Sequence, residues 1–132
     1  MRAVLHASAA IEIVLGRPHA PRFTAALDEA DAVMAPELYV AEVVNVVWKY
    51  HRFENMDLRS CHRALDAAIA LVDILVCAKD LYGEAFLLAR TTRHSTYDMF
   101  YLALARREDA VFLTLNAGLR KEAQRQGVRL EL

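Results

Sequence analysis

Between Leu38 and Trp48 only Glu42 and Asn45 interrupt an apolar run, and Glu37 and Lys49 bound it with charge. A run of this length and setting reads as a buried helix, although its β-branched valines also suit a strand. On a helix Glu42 and Asn45, three residues apart, share a face. A carboxylate inside a buried helix is costly unless a partner pairs with it or a metal binds it. The fold must therefore place something opposite Glu42: a salt bridge, a crevice open to water, or a ligand.

The remaining chain alternates short apolar runs with helical periodicity. Ala3-Val4-Leu5, Ala32 to Ala35, Asp73 to Cys77 and Ala110 to Thr114 read as strands, with Val128-Arg129-Leu130 as a short last one. Helices are expected over 7–15, 20–30, from 38 to a frayed end near 53–55, then 58–71, 81–91, 96–107 and 117–126. Gly16-Arg17-Pro18 stops the first helix and Gly127 the last, while Pro36 lies near the first turn of the central one. The stretch 55–77 reads equally as one long helix or two shorter pieces. Wholly apolar strands alternating with helices argue for an α/β class: a parallel twisted sheet of about five short strands flanked by helices. The 132 residues form one domain, 1–132, large enough for a real core.

A net charge of −1 gives no whole-molecule attraction for nucleic acid, so any such contact needs a local basic patch. Cys61 and Cys77 have no metal-site spacing and suggest a reducing, cytoplasmic setting. No apolar run reaches membrane-spanning length, so no membrane partner is expected. The apolar start, Ala3 to Leu15, is broken by His6 and Glu12 and does not read as a signal peptide.

Ligands of open α/β sheets sit beyond the carboxyl ends of the strands. The first strand ends at His6, followed by Ser8, and the fourth at Thr114, followed by Asn116. Asp98 is a second acid in an apolar helical run, Tyr97 to Ala105. One crevice can thus gather His6, Glu42, Asp98 and Asn116, with Ser8, Asn45 and Thr114 around them. Each has a plainer alternative. Asp98 stands three after Ser95, as in a capping box, and Asn116 and Ser8 can cap helices. His6 can be a core histidine bonded to a backbone carbonyl. The apolar face Leu65, Ala68, Ile69 and Val72 suits a partner helix or the domain's own core.

Four stretches together carry a resemblance: Val4-Leu5-His6-Ala7-Ser8, Pro36 to Lys49, Thr96 to Ala105 and Leu113-Thr114-Leu115-Asn116. In order and spacing they resemble the PIN-domain family, and within it the single-domain VapC-type toxins. The resemblance implies a PIN-like fold and a metal-dependent endoribonuclease using Mg²⁺ or Mn²⁺, the toxin of a type II toxin–antitoxin pair. It also implies a homodimer and a cognate antitoxin lying across the active-site groove. Glu42 and Asp98 match the family's metal-holding acids, and Ser8 and Thr114 its accompanying hydroxyls, expected to orient water or phosphate.

Two positions depart from the family pattern. His6 stands where the family has its first-strand aspartate, and Asn116 where it commonly has its last acid. Glu42 and Asp98 alone offer less negative charge than four acids would, and imidazole suits Mn²⁺, Zn²⁺ or Ni²⁺ better than Mg²⁺. The expectation is therefore a nuclease weakened or altered in metal preference, with His6 also a candidate general base. The alternative is a catalytically inactive PIN domain, with no metal bound, that binds RNA or protein. For RNA contact, Arg90 and Arg93, with His94 beside them, precede the Asp98 helix and are the best candidates. Lys49, Arg52, Arg106 and Arg107 read as solvated helix faces.

Overall fold

The structure, a computed structural model, describes residues 1–131. Four short segments form its sheet: β1 (Arg2–Leu5), β2 (Ala32–Pro36), β3 (Ile74–Val76) and β4 (Val111–Leu113). The order is β3-β2-β1-β4, every pairing parallel. Register is set by Ala3 opposite Val33 and Val111, and by Ala35 opposite Leu75. Residues Ala3 to Leu5 are fully buried, as expected for a central strand covered on both faces.

Parallel neighbours need crossover connections. Each crossover here is a helix pair: α1 (Ala7–Val14) with α2 (Ala20–Glu29), α3 (Leu38–Glu54) with α4 (Leu58–Ala70), and α5 (Tyr82–Thr92) with α6 (Thr96–Arg107). A 3-10 turn, Ala78–Asp80, leads into α5, and α7 (Ala117–Arg125) follows β4. The chain runs outward from β1 through β2 to β3 and then returns to the other side of β1. That reversal opens a crevice beyond the ends of β1 and β4, the place where such sheets bind ligands.

Local chemistry explains the helix limits. Asp57 caps α4 by accepting from the Ser60 N–H at 3.0 Å, and Ser95 caps α6 by accepting from the Tyr97 N–H at 3.2 Å. Asn55 ends α3 in the left-handed conformation (φ 57°), and the N–H groups of Asn55 and Met56 both reach the Tyr50 carbonyl. Arg93 ends α5 in the same way (φ 63°), which turns the chain sharply into α6. The stretch 55–77 resolves into one helix, α4, and strand β3.

Three expectations change. The last strand, 128–130, is reduced to one parallel bridge, Leu130 to Phe112, with the Phe112 N–H donating to the Arg129 carbonyl at 2.8 Å. Pro36 ends β2 opposite Val76 rather than entering α3. And α3 is only half buried: Tyr39, Val43 and Val47 face the core, while Val44 (48% exposed) and Trp48 (52%) do not. A helix lying on a sheet buries one stripe, so a run apolar on every side leaves its outer valines uncovered. The apolar face of α4 goes mainly inward, with Ala68 buried, Leu65 and Val72 against the core and Ile69 exposed. Among the described residues no helix is long and apolar enough to cross a membrane.

Candidate active site

The crevice is built from the end of β1, the end of β4, and inward positions of α3 and α6. His6 is the N-cap of α1, and its Nδ1 accepts from the Ser8 N–H at 3.3 Å. A backbone N–H can only donate, so Nδ1 presents its lone pair and the neutral ring carries its proton on Nε2. The two nearby hydroxyls belong to the same network. Ser8 Oγ lies 2.7 Å and Thr114 Oγ1 3.2 Å from His6 Nδ1, and they are 3.2 Å from each other. Ser8 Oγ also accepts from the Leu115 N–H at 2.9 Å, and Thr114 Oγ1 from the Asn116 N–H at 3.2 Å. Both hydroxyls are thus occupied in fixing the imidazole and the β4 end, and Thr114 is wholly buried.

Across the crevice, His6 Nε2 lies 3.4 Å from Asp98 Oδ1, and this buried nitrogen has no hydrogen-bond partner. Phe112 and Tyr101 meet the imidazole edge-on, at 6.2 and 4.6 Å between ring centroids. The group opposite Glu42 is Tyr101, whose hydroxyl donates to Glu42 Oε1 at 2.5 Å. Burial, with the Glu42 charge beside it, pushes the Tyr101 hydroxyl well up, so it stays a donor. Burial likewise pushes the Glu42 carboxyl above its ordinary range; the Tyr101 bond and His6 offset this in part, and Asp98 adds to it. One donor atom from each of His6, Glu42 and Asp98 lies within 4.8 Å of the others.

The structure therefore brings together five of the residues read from the sequence, His6, Glu42, Asp98, Ser8 and Thr114, and leaves others outside. Asn45 is exposed. Three residues on a helix are offset by about 60°, which suffices at the edge of a buried stripe to turn one side chain in and the other out. Asn116 is exposed and takes its plainer alternative, its Oδ1 accepting from the Leu119 N–H at 2.9 Å as the α7 cap. Asp98 does not form the capping box, because the Ser95 hydroxyl takes the Tyr97 N–H and Asp98 turns to His6. His6 bonds to Ser8 and Thr114 rather than a carbonyl, and in this tautomer its Nε2 faces the crevice as a donor. Arg90 and Arg93 are exposed, whereas His94 points to buried Glu122 at 3.6 Å. Tyr101 was not singled out by sequence reasoning. Its signal was available: it stands three residues after Asp98 on one helix, so both share the inward face.

The raised Glu42 carboxyl has a consequence for stability. The folded state binds the Glu42 proton more tightly than the unfolded state. Its stabilising contribution is therefore complete below the unfolded value and is lost as pH rises through the folded one. Glu42→Gln keeps an acceptor for Tyr101 but removes the charge. Without added metal it is expected to melt above wild type at pH ~7–8, with the gap closing as pH falls below about 4. Thermal melts across that range check this; a variant melting lower at neutral pH contradicts it.

The sequence matches the PIN-domain family profile over residues 3–124. By sequence, no curated protein matches the chain. Solved structures similar in fold include PAE2754 from Pyrobaculum aerophilum, 19% identical over 90% of this chain and 82% of that one, with a TM-score of 0.72. VapBC2 from Rickettsia felis, solved with a DNA fragment from its promoter, is 18% identical over 99% of this chain and 98% of the other, with a TM-score of 0.68. VapC20 of Mycobacterium tuberculosis, a toxin that cleaves the sarcin-ricin loop, is 18% identical over 91% and 94%, with a TM-score of 0.64.

Proposed function

Because the chain belongs to the PIN-domain family, we propose that it is a metal-dependent endoribonuclease of VapC type, altered in its metal site by His6 and Asn116. The observation that supports this most is the convergence of Glu42 and Asp98, from α3 and α6, on one crevice at the sheet's switch point, with their donor atoms within 4.8 Å. The raised Glu42 carboxyl supports it further, since a carboxylate kept where burial opposes its charge suits a cation-binding role.

The donor set fits a divalent cation: two carboxylates and a buried nitrogen without a partner. Glu42 and Asp98 would hold the ion, which supplies neutralisation of phosphate charge and activation of water. Tyr101 fixes Glu42 by donating to Oε1, which holds the carboxylate where it would meet the ion. Asp98, 26% exposed on the first turn of α6, meets the solvent side from which RNA would arrive. Arg90 and Arg93 have no ion-pair partner among the described residues and would take backbone phosphates. Arg90→Ala and Arg93→Ala are each expected to lower the slope of log K against log salt for RNA by about 0.7–1. Unchanged slopes remove them from the interface.

The same reading carries a cognate antitoxin and a second copy of the chain as partners, with a cytoplasmic location. Exposed Val44 and Trp48 on α3, and Tyr82, Phe86 and Leu87 on α5, support partnered surfaces. A light-scattering mass equal to the monomer at micromolar concentration would remove the homodimer. The deciding experiment for activity is cleavage of a structured RNA panel with Mg²⁺ and with Mn²⁺, wild type beside Glu42→Gln. Metal-dependent cleavage lost in the variant supports the nuclease. RNA binding without cleavage under either metal makes this an inactive, RNA-binding PIN domain.

A further inference from the structure

We infer that His6 Nε2 is the third ligand of this site, and that the site therefore takes a nitrogen-accepting transition-metal ion in preference to Mg²⁺. This rests on the carboxylate metal site proposed above and adds the class of ion and the state of the histidine.

The side chain is 10% exposed, its Nε2 is buried without a hydrogen-bond partner, and it is aimed at Asp98 Oδ1, 3.4 Å away. A buried imidazole nitrogen left unpaired is costly where it stands. It becomes favourable when a cation sits between it and the two carboxylates. Mg²⁺ demands oxygen ligands, whereas Mn²⁺, Co²⁺ and Zn²⁺ accept imidazole readily.

The surroundings of Nδ1 permit the change this binding needs. To ligate through Nε2, the neutral ring must carry its proton on Nδ1. A histidine ligand normally donates that second N–H to a fixed acceptor. Here Ser8 Oγ waits at 2.7 Å, and its own hydrogen can pass to Thr114 Oγ1 at 3.2 Å while it still accepts from the Leu115 N–H. The shift gives up the 3.3 Å contact from the Ser8 N–H and any bond from the Thr114 hydroxyl, whose Oγ1 lies 3.2 Å from Nδ1. Loading the site thus moves the His6 proton from Nε2 to Nδ1, with Ser8 as the positioning residue.

The test uses the whole chain, with Co²⁺ and Zn²⁺ as probes. Wild type is expected to develop cobalt ligand-field absorption that Mg²⁺ displaces poorly. In long-range proton–nitrogen correlation spectra, Zn²⁺ is expected to switch His6 from the Nε2–H to the Nδ1–H form. His6→Gln should weaken Co²⁺ binding by at least ~10–100-fold, and Ser8→Ala by a smaller factor. His6→Asp should let Mg²⁺ compete. If Co²⁺ binds with dependence on Glu42 and Asp98 but not His6, and the His6 tautomer stays unchanged, this inference is overturned and the carboxylate site stands. If neither ion binds, both readings fall. Should His6→Gln not fold, the tautomer measurement on wild type decides alone.

Discussion

Asp98→Ala is expected to cut metal-dependent RNA cleavage by more than about 100-fold, because loss of even an outer-shell partner of a metal ligand typically costs 10–100-fold. The fold should hardly register the change. Asp98 is 26% exposed, and no hydrogen bond ties it into a capping box. Its carboxylate in the first turn of α6 favours the helix dipole by about 0.3–1 kcal/mol, and its removal relieves repulsion from Glu42. The two effects oppose each other, so the melting temperature should move little. Cleavage assays beside thermal melts separate chemistry from folding. Full activity in Asp98→Ala would remove the site assignment, whereas lost activity with a collapsed melt would say nothing about it. A role for Asp98 in capping alone predicts the reverse, a stability loss with chemistry intact.

The largest stability effect is expected at Phe112. Its side chain is fully buried, stacked on Tyr101 at 6.3 Å between centroids and edge-on to His6. Phe112→Ala should cost about 3–5 kcal/mol, the range for large-to-small changes that leave a cavity. In a domain of this size that corresponds to a melting temperature lower by ~10 °C or more. Urea unfolding measures it directly. A loss below about 1 kcal/mol would mean that the floor of the site collapses into the space. Phe112 also backs both His6 and Tyr101, so this variant should loosen the site while Asp98→Ala leaves it in place.

Much of the architecture was legible in local chemistry. α6 begins and ends where Ser95 and the periodicity of 96–107 put it. Ala3-Val4-Leu5 became a strand covered on both faces because nothing polar interrupts it. The site was legible in part, because acids in apolar helices are conspicuous: Glu42 and Asp98 each stood out in a run that had no other use for charge. The exposed half of α3 was not legible, since an apolar residue carries no mark of which side will be covered. Nor was the reduction of 128–130 to a single bridge, because a ladder depends on what the neighbouring strand offers.

The sequence by itself determined the alternation of strands and helices, the parallel class, and two of the carboxylates a cation would need. These follow from periodicity, caps and the cost of burying charge, all of which act within a few residues. Only the tertiary structure decided the order β3-β2-β1-β4, which brings His6 and Thr114 together from opposite ends of the chain. It also decided that Tyr101 answers Glu42, that Asn45 turns outward and that Asn116 becomes a cap. Those outcomes depend on where a second helix or strand lies. A side chain's own neighbours in sequence do not supply the partner that decides between cap, core and ligand.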